Sequence, residues 1–523
     1  MDFLEKYASW IVFLSALFIC TSFIGGYPIY ILDEARNAEA AREMYVNDDY
    51  IVPFFNGELR TDKPPLHYYF MALGYELFGI SALGARFFSG VFGALTILVT
   101  FLFARKRLGF KAASLSVVIL SSSVFFVQEF HLAVPDPYLI FFVSSTLFCF
   151  YEFYDSSKKK WLLWAYMGIG LGVLTKGPVA IALPGLSVFL FLILKRALNF
   201  KNVMAFRPIL GLSLSLIIAI PWYYMVHEAT NGEWTKGFFL DHNVNRFNSG
   251  KEGHGGLFLL TPLFVFLGML PFSIFLIQGF SKLWRERKQN DFQLFAAVVS
   301  LVTVTFFSVA STKLPNYPMP CYPFIAIILA RFLREVGTNK PPFKSLKYSV
   351  IFLIFISILL PIGGYMALSQ EKTLYEVRWV ALLLSVLTIA SLFVWLYFKK
   401  AAYKKMIVSI ALGWGFMGLV LFGVIYPMLT MKSPTVLASK IIGENSDVVV
   451  YQRFDSAFPF HFNRTFTVVH TLKELEAFLG EHPQGYILTN TRNTESLLKL
   501  REFNLIMEQK ALFENHTTRI YTK

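Results

Sequence analysis

The sequence predicts an all-α polytopic membrane protein of about thirteen transmembrane helices, ending in a small α/β domain. Apolar runs of about 18 or more residues, the length a helix needs to cross the hydrocarbon core, recur from the N-terminus to about residue 430. The loops between them are densely basic in alternation, as positive-inside topology requires. After about Ser433 the composition turns soluble and the apolar residues fall into short β-like runs. The chain is 55% hydrophobic and only 16% charged, where a soluble domain carries about 25% charged residues.

The expected spans run over 8–27, 83–103, 112–130, 136–154, 161–175, 178–194, 208–226, 257–280, 292–310, 316–333, 348–368, 379–398 and 406–428. The first run, Tyr7 to Ile24, is a full span with no small-residue cleavage site behind it, so it reads as a helix and not as a cleaved signal peptide. The net charge of +14 does not signal nucleic acid. Its lysines and arginines sit in short loops such as Arg105-Lys106-Arg107, Lys158-Lys159-Lys160 and Lys399-Lys400, which should face the cytoplasm. The N-terminus is then cytoplasmic. An odd span count puts the loop around Asp33 and everything after about residue 429 outside. Cys20, Cys149 and Cys321 lie in or beside apolar runs without metal-ligand spacing and read as core residues.

Two outer loops are too long for turns. In the first, 28–80, Glu34 to Tyr45 reads as a short helix with Asp33 as N-cap, and the aromatic stretch Leu66 to Phe78 suits the membrane interface. The second, 227–256, carries Trp234, Asp241-His242, Arg246 and a glycine-rich run from Gly250 to Gly256. Residues 1–430 thus form the membrane unit and 431–523 a soluble extracytoplasmic unit. Within the latter, strands are expected near 448–451, 466–469, 485–488 and 519–521, with helices near 471–479 and 494–500. No nucleotide-binding glycine loop is present there.

Ionisable groups at a lipid boundary are costly and usually functional. Asp33-Glu34-Ala35-Arg36 and Asp62-Lys63-Pro64-Pro65 flank one loop at the expected outer surface. Either group alone reads as a helix cap or a loop end. Together they suit a carboxylate base beside a cationic clamp for a lipid phosphate. Lys176 and Lys313 lie at the outer ends of two spans, where positive-inside bias disfavours lysine, and several on one face point to an anionic ligand. Asp241-His242 and Arg246 add an acid, a base or metal ligand, and a cation.

With these segments in hand, the chain resembles the GT-C class of integral-membrane glycosyltransferases, and within it the lipid A aminoarabinose transferases and protein O-mannosyltransferase-like enzymes. The resemblance is carried, in order, by the run from Asp33-Glu34-Ala35-Arg36 to Met44; by Asp62-Lys63-Pro64-Pro65-Leu66 with Tyr69; by Leu174-Thr175-Lys176-Gly177-Pro178; by Phe239 to Phe247 around Asp241-His242; and by Phe307-Ser308 to Tyr322-Pro323 around Lys313-Leu314-Pro315-Asn316-Tyr317. It implies inverting transfer of a sugar from a polyprenyl-phosphate (undecaprenyl-phosphate) donor at the periplasmic face of a bacterial inner membrane, with a lipid A or glycolipid acceptor. It also implies roles. Asp33 would be the acid nearest the chemistry, supported by Glu34. Arg36, Lys63, Lys176 and Tyr317 would hold the donor phosphate, with Lys313 and Arg246 as further candidates. Asp62 and His242 match positions where relatives place a divalent metal, although Asp62 stands where aminoarabinose transferases usually have Glu. No nucleotide cofactor is needed, since a lipid-phosphate sugar is already activated.

Three matters stay open in the sequence. Asp33 serves as a base if the acceptor is a hydroxyl, and orients the acceptor if it is a phosphate. The acceptor could also be a secreted protein. A transporter or flippase of polyprenyl-linked sugars would use a similar cationic pocket, but would place charges deep in several spans. Sugar identity and oligomeric state are not encoded in any motif.

Overall fold

The computed structural model describes residues 3–244, 256–287, 290–337, 343–443 and 445–523. Helices form at the apolar runs. The first nine are α1 (Phe3–Thr21), α2 (Leu32–Val46), α3 (Leu66–Phe78), α4 (Ala82–Leu108), α5 (Phe110–Ser122), α6 (Val124–Glu129), α7 (Asp136–Ser156), α8 (Lys160–Lys176) and α9 (Val179–Leu194). Long apolar helices follow at Pro208–Ala229, Asp291–Val309, Phe343–Gln370 and Tyr403–Val420.

Among the described residues, six helices are long and apolar enough to cross a membrane, or seven if one bent pair counts as a single span. That is fewer than the thirteen expected, and the difference has local causes. The run at 257–280 is not straight: Leu260–Gly268 and Phe272–Glu286 meet at 113°. Pro271 lies in the break, where a residue without an N–H cannot continue the ladder. The run at 112–130 is divided at Ser123 into α5 and α6. Helices α8 and α9 have 17 and 16 residues. Hydropathy sums apolar residues along a window and is blind to such breaks.

Close helix approach sets the bundle. A Cβ on Gly90 of α4 would lie 2.7 Å from the Cys20 carbonyl oxygen, and one on Gly93 would lie 2.9 Å from Cys20 Sγ. Small residues at a crossing allow this backbone contact. All three cysteines are buried and free, as core residues should be.

Two features outside the bundle position the site. Between α2 and α3, strands β1 (Phe54–Phe55) and β2 (Glu58–Leu59) pair through an Asn56-Gly57 turn with positive φ at both residues, the conformation this pair favours. Glu43 of α2 accepts the backbone N–H groups of Asn56 (2.5 Å) and Gly57 (3.0 Å), fastening the hairpin to the helix. At the C-terminus, five strands form one sheet: β3 (Val448–Tyr451), β4 (Thr467–Val469), β5 (Tyr486–Thr489), β6 (Asn504–Lys510) and β7 (Thr517–Thr522), in the order β4-β3-β5-β7-β6. β3 is parallel to β4 and β5, and β7 is antiparallel to β5 and β6. Strand alternation sends Val448 and Val450 to one core with Phe458 and Phe466, and Val449 and Tyr451 to another with Leu475 and Leu479. The strand at 504–510 had no counterpart in the sequence reading. Only Met507 of its seven residues is buried, so its apolar alternation is weak.

The sheet unit is tied directly to α2 and the hairpin. Asn56 Nδ2 donates to the Phe466 carbonyl (3.0 Å) and Phe466 N–H donates to Asn56 Oδ1 (2.7 Å). Arg42 reaches the Asn463 carbonyl, and Leu512 N–H donates to the Tyr30 hydroxyl (2.9 Å). Phe55 stacks on Phe454.

Candidate active site

The helix α2 forms because its buried face is built of Ala35, Ala38, Ala40 and Ala41, the best helix formers. Its N-cap is Ile31, with no side-chain capping bond, so the expectation that Asp33 caps the helix is corrected: Asp33 lies inside the first turn. There it still complements the helix dipole, but its carboxylate is not consumed by backbone donors of the cap.

Its neighbour Glu34 has a different environment. Glu34 is 1% exposed and bidentate to Arg86 of α4, at 2.6 and 2.9 Å, and it accepts the Ala133 N–H at 2.9 Å. Arg86 is fully buried and also donates to the carbonyls of Ile24, Tyr27 and Pro28. Its guanidinium lies over the Tyr27 ring at 4.1 Å. This knot satisfies the chain leaving α1 and sets where α2 begins.

Asp33 is exposed. Packing around it works to raise its pKa, but the positive charges of Lys63, Arg60 and Lys176 win, and the carboxyl is held below its ordinary value. Lys63 and Arg60 are themselves buried. They come from the segment between β2 and α3, Lys176 from the end of α8, and Asp33 from α2. Three separate elements thus converge on one carboxylate. Lys176 Nζ bonds Asp136 Oδ1 at 2.6 Å, at the start of α7, and sits 4.8 Å from the Tyr317 ring centroid. Next to Tyr317, Asn316 Nδ2 donates to Glu129 Oε1 at 3.1 Å. Of the residues singled out from sequence, Lys63 and Lys176 thus act electrostatically on Asp33, and Tyr317 lies beside Lys176.

The remaining expected residues divide. Asp62 Oδ1 and His242 Nε2 meet at 2.8 Å, while Asp62 Oδ2 is 3.2 Å from Arg60. Burial would raise the Asp62 pKa, but the His242 bond and the charges of Arg60 and Lys63 drive it far below the usual carboxylate range. Among the described residues no group of three His, Cys, Asp or Glu is placed to hold a metal ion. Asp62 and His242 supply two possible donors, and Asp62 shares its charge with Arg60. The pair joins the two outer loops. Trp234 Nε1 donates to the Arg60 carbonyl (2.8 Å), and Gly237 presses on Thr61, where a Cβ would lie 2.7 Å from Oγ1.

Arg36 is directed elsewhere than the phosphate clamp expected of it. Its Nε donates to Ser456 of the C-terminal unit at 3.2 Å, and its guanidinium lies 6.0 Å from the Phe55 ring centroid. It lies three residues beyond Asp33 on α2, but its hydrogen bond goes to the C-terminal unit and its ring contact to the β1–β2 hairpin. Lys313 is buried and donates to the Ala310 carbonyl at 2.8 Å. Arg246 lies outside the described residues.

Sequence reasoning missed Arg60, Asp136 and His67. Arg60 sits two residues before Asp62 and holds Tyr68 (3.0 Å) and Asn37 (3.0 Å) as well. His67 is fully buried, and burial together with the charges of Lys63 and Arg60 keeps it neutral, its pKa well below the ordinary value. Asp136, between Pro135 and Pro137 at the start of a span, carried a signal that could have been read: an acid at a lipid boundary opposite an outer-facing lysine.

The sequence profile of dolichyl-phosphate-mannose-protein mannosyltransferase matches residues 62–225, a stretch that includes Asp62, Lys63, Asp136 and Lys176. An uncharacterized protein of Aquifex aeolicus is 31% identical over 356 residues, covering 67% of this chain and 68% of that protein. An undecaprenyl phosphate-alpha-4-amino-4-deoxy-L-arabinose arabinosyl transferase of Edwardsiella ictaluri is 28% identical over 373 residues, covering 70% of this chain. The chain spans 65% of that enzyme's length, slightly under two thirds. In fold, the chain is similar to ArnT from Cupriavidus metallidurans bound to undecaprenyl phosphate, with a TM-score of 0.78 at 20% identity over 99% of this chain and 98% of that one. A more distant likeness is to the oligosaccharyltransferase AglB of Archaeoglobus fulgidus, with a TM-score of 0.52 at 12% identity, covering 94% of this chain and 70% of that one. The chain belongs to the GT-C class of integral-membrane glycosyltransferases, and within that class it resembles the aminoarabinose transferases.

Proposed function

We propose that the protein moves a sugar, with inversion at its anomeric carbon, from a polyprenyl-phosphate donor to an acceptor at the periplasmic face of a bacterial inner membrane. The acceptor in this reading is a lipid A-type glycolipid. The convergence of Lys63, Arg60 and Lys176 on the exposed Asp33 carboxylate carries the proposal. Sidedness is taken from the basic loops: the N-terminus inside, and the Asp33 loop with the C-terminal unit outside.

In this reading Lys63 and Lys176 receive the donor phosphate, with Tyr317 beneath the Lys176 ammonium. The anomeric C–O bond to phosphate breaks, and both electrons leave on the phosphate oxygen. Fixed cations in a water-poor site stabilise that developing charge. The acceptor hydroxyl attacks from the opposite side of the ring and passes its proton to Asp33. Asp33 is ionised at neutral pH because the same cations hold it so. Lys176 must loosen from Asp136 to meet the phosphate, so Asp136 acts as its resting counter-ion. No step runs through a metal or a nucleotide.

The test is turnover of the purified protein with a panel of polyprenyl-phosphate sugars, scored by released lipid phosphate. Wild type should release it from one member of the panel. Asp33→Asn should lower release by roughly 10²–10⁴-fold, the range for losing a general base, while keeping its fold. Near-normal turnover in Asp33→Asn would remove Asp33 from the reaction.

A further inference from the structure

At the opposite end of the bundle from Asp33 lies a large cavity of about 910 Å3, between the bent helix pair and Phe343–Gln370. Its end of the molecule is fixed by Arg334, two residues past the cavity-lining Phe332: Arg334 donates to the Leu108 carbonyl at the basic terminus of α4 (2.8 Å). The cavity owes its walls to the 113° bend. The second half of the pair, Leu276–Glu286, turns away from the bundle axis and carries polar residues at Gln278, Ser281, Lys282, Arg285 and Glu286. This is the spacing of a single helical face.

In a membrane such a stripe should face water. Here all five of its residues line the cavity. Trp284 of the same helix, 64% exposed, lies outside the cavity lining, and Ile277, 81% exposed, stands at its rim. The opposing wall is apolar, with Phe266, Ile274, Phe332 and Phe352. One wall thus offers charge and hydrogen bonds, the other a hydrocarbon surface.

The charges do not cancel. Arg331 takes Glu286 at 2.5 Å, and Lys282 takes Glu335 with a longer contact to Glu286. Among the described residues Arg285 is left without an ion-pair partner, exposed, on the cavity rim. Gln278 Nε2 is tied to Ser349 Oγ (2.7 Å), while its Oε1 has no hydrogen-bond partner among the described residues. Tyr348, 69% exposed, continues the rim outward toward the lipid.

We infer that this cavity is a binding site for an anionic glycerophospholipid of the leaflet next to the basic loops. Arg285 takes the headgroup phosphate, and an acyl chain lies along Phe266, Phe332 and Phe352. Arginine suits a phosphate at an interface because its planar donors match two oxygens at once. A zwitterionic lipid carries its own cation and gains less from the surplus arginine. The site is separate from the sugar-transfer cluster and does not depend on how that cluster works.

The full-length protein in detergent would be titrated with phosphatidylglycerol, phosphatidylethanolamine, undecaprenyl phosphate or inorganic phosphate. Bound lipid is read by native mass spectrometry and the shift in Tm is read in parallel. Phosphatidylglycerol should be retained at least about fivefold better than phosphatidylethanolamine and should raise Tm. Arg285→Ala should abolish that preference and the Tm shift, with an unchanged Tm in lipid-free detergent. Ser345→Trp, which fills the cavity without touching the charges, should also lose phosphatidylglycerol. Equal retention by Arg285→Ala and wild type overturns the site. So does equal retention of the two phospholipids, preferential retention of undecaprenyl phosphate, or a matching Tm shift from inorganic phosphate alone.

Discussion

Two neighbouring regions of α2 treat their acids in opposite ways. Around Glu34, both carboxylate oxygens meet donors: Arg86 twice and the Ala133 N–H, all buried. Around Asp33, one residue earlier, the carboxylate is exposed, and the cations that act on it come from other elements. The first arrangement is closed and holds the fold. The second leaves its carboxylate open to solvent. Being acidic, adjacent and at one helix start therefore says little about role. What separates the two is whether the partner cation is delivered into direct contact.

The comparison breaks most severely at its closed half. Arg86→Ala leaves Glu34 buried without its partner and three carbonyls without a donor, and should cost about 3–5 kcal/mol of stability. Its measure is thermal unfolding in detergent, and loss of less than about 1 kcal/mol would mean that the knot is not what positions α2. At the open half, Lys63→Ala should leave unfolding nearly unchanged while turnover falls roughly 10²–10³-fold, as for removal of a fixed charge from a developing anion. If stability fell and donor affinity stayed constant, Lys63 would belong with Glu34.

A smaller effect is expected at the seam between the outer loops. Asp62→Asn keeps a bond acceptor for His242 but removes the charge that meets Arg60. Turnover should fall less than in Lys63→Ala, with added chelator changing neither protein. A chelator-sensitive wild type would return Asp62 and His242 to the role of metal ligands.

The smallest effect lies in the C-terminal unit. Burial would lower the His516 pKa, but the carboxylates of Asp455 and Glu514 raise it to about 9. A folded-state pKa above the unfolded one contributes stability fully present below about 6.5 and lost as pH rises toward about 9. The Tm should drop over that window, and His516→Gln should flatten the drop. A Tm constant from pH 6.5 to 9 in wild type would show that the carboxylates do not hold the proton there.

Much of this molecule was legible before any coordinates. Asp33, Lys63 and Lys176 stood out as charges set at lipid boundaries on one expected face, a cost that chains rarely carry without use, while Tyr317 was singled out only by the family resemblance. Four of the five C-terminal strands followed from apolar alternation. The destinations of side chains did not follow. Arg36 shares a helix turn with Asp33, yet it reaches Ser456, 420 residues away in the chain. Arg60 drew no notice in the sequence, yet Asp62, Tyr68 and Asn37 surround it in the fold.

The sequence by itself determined that this is a helical membrane protein with acids and bases set at its lipid boundaries, because hydropathy and charge placement are local and additive along the chain. Only the tertiary structure decided which acid stays exposed and which is locked to Arg86, where the run at 257–280 breaks, and that a polar helix face turns inward onto a cavity. Those outcomes depend on contacts between residues far apart in sequence, and the direction of a side chain in a packed bundle is fixed by its neighbours.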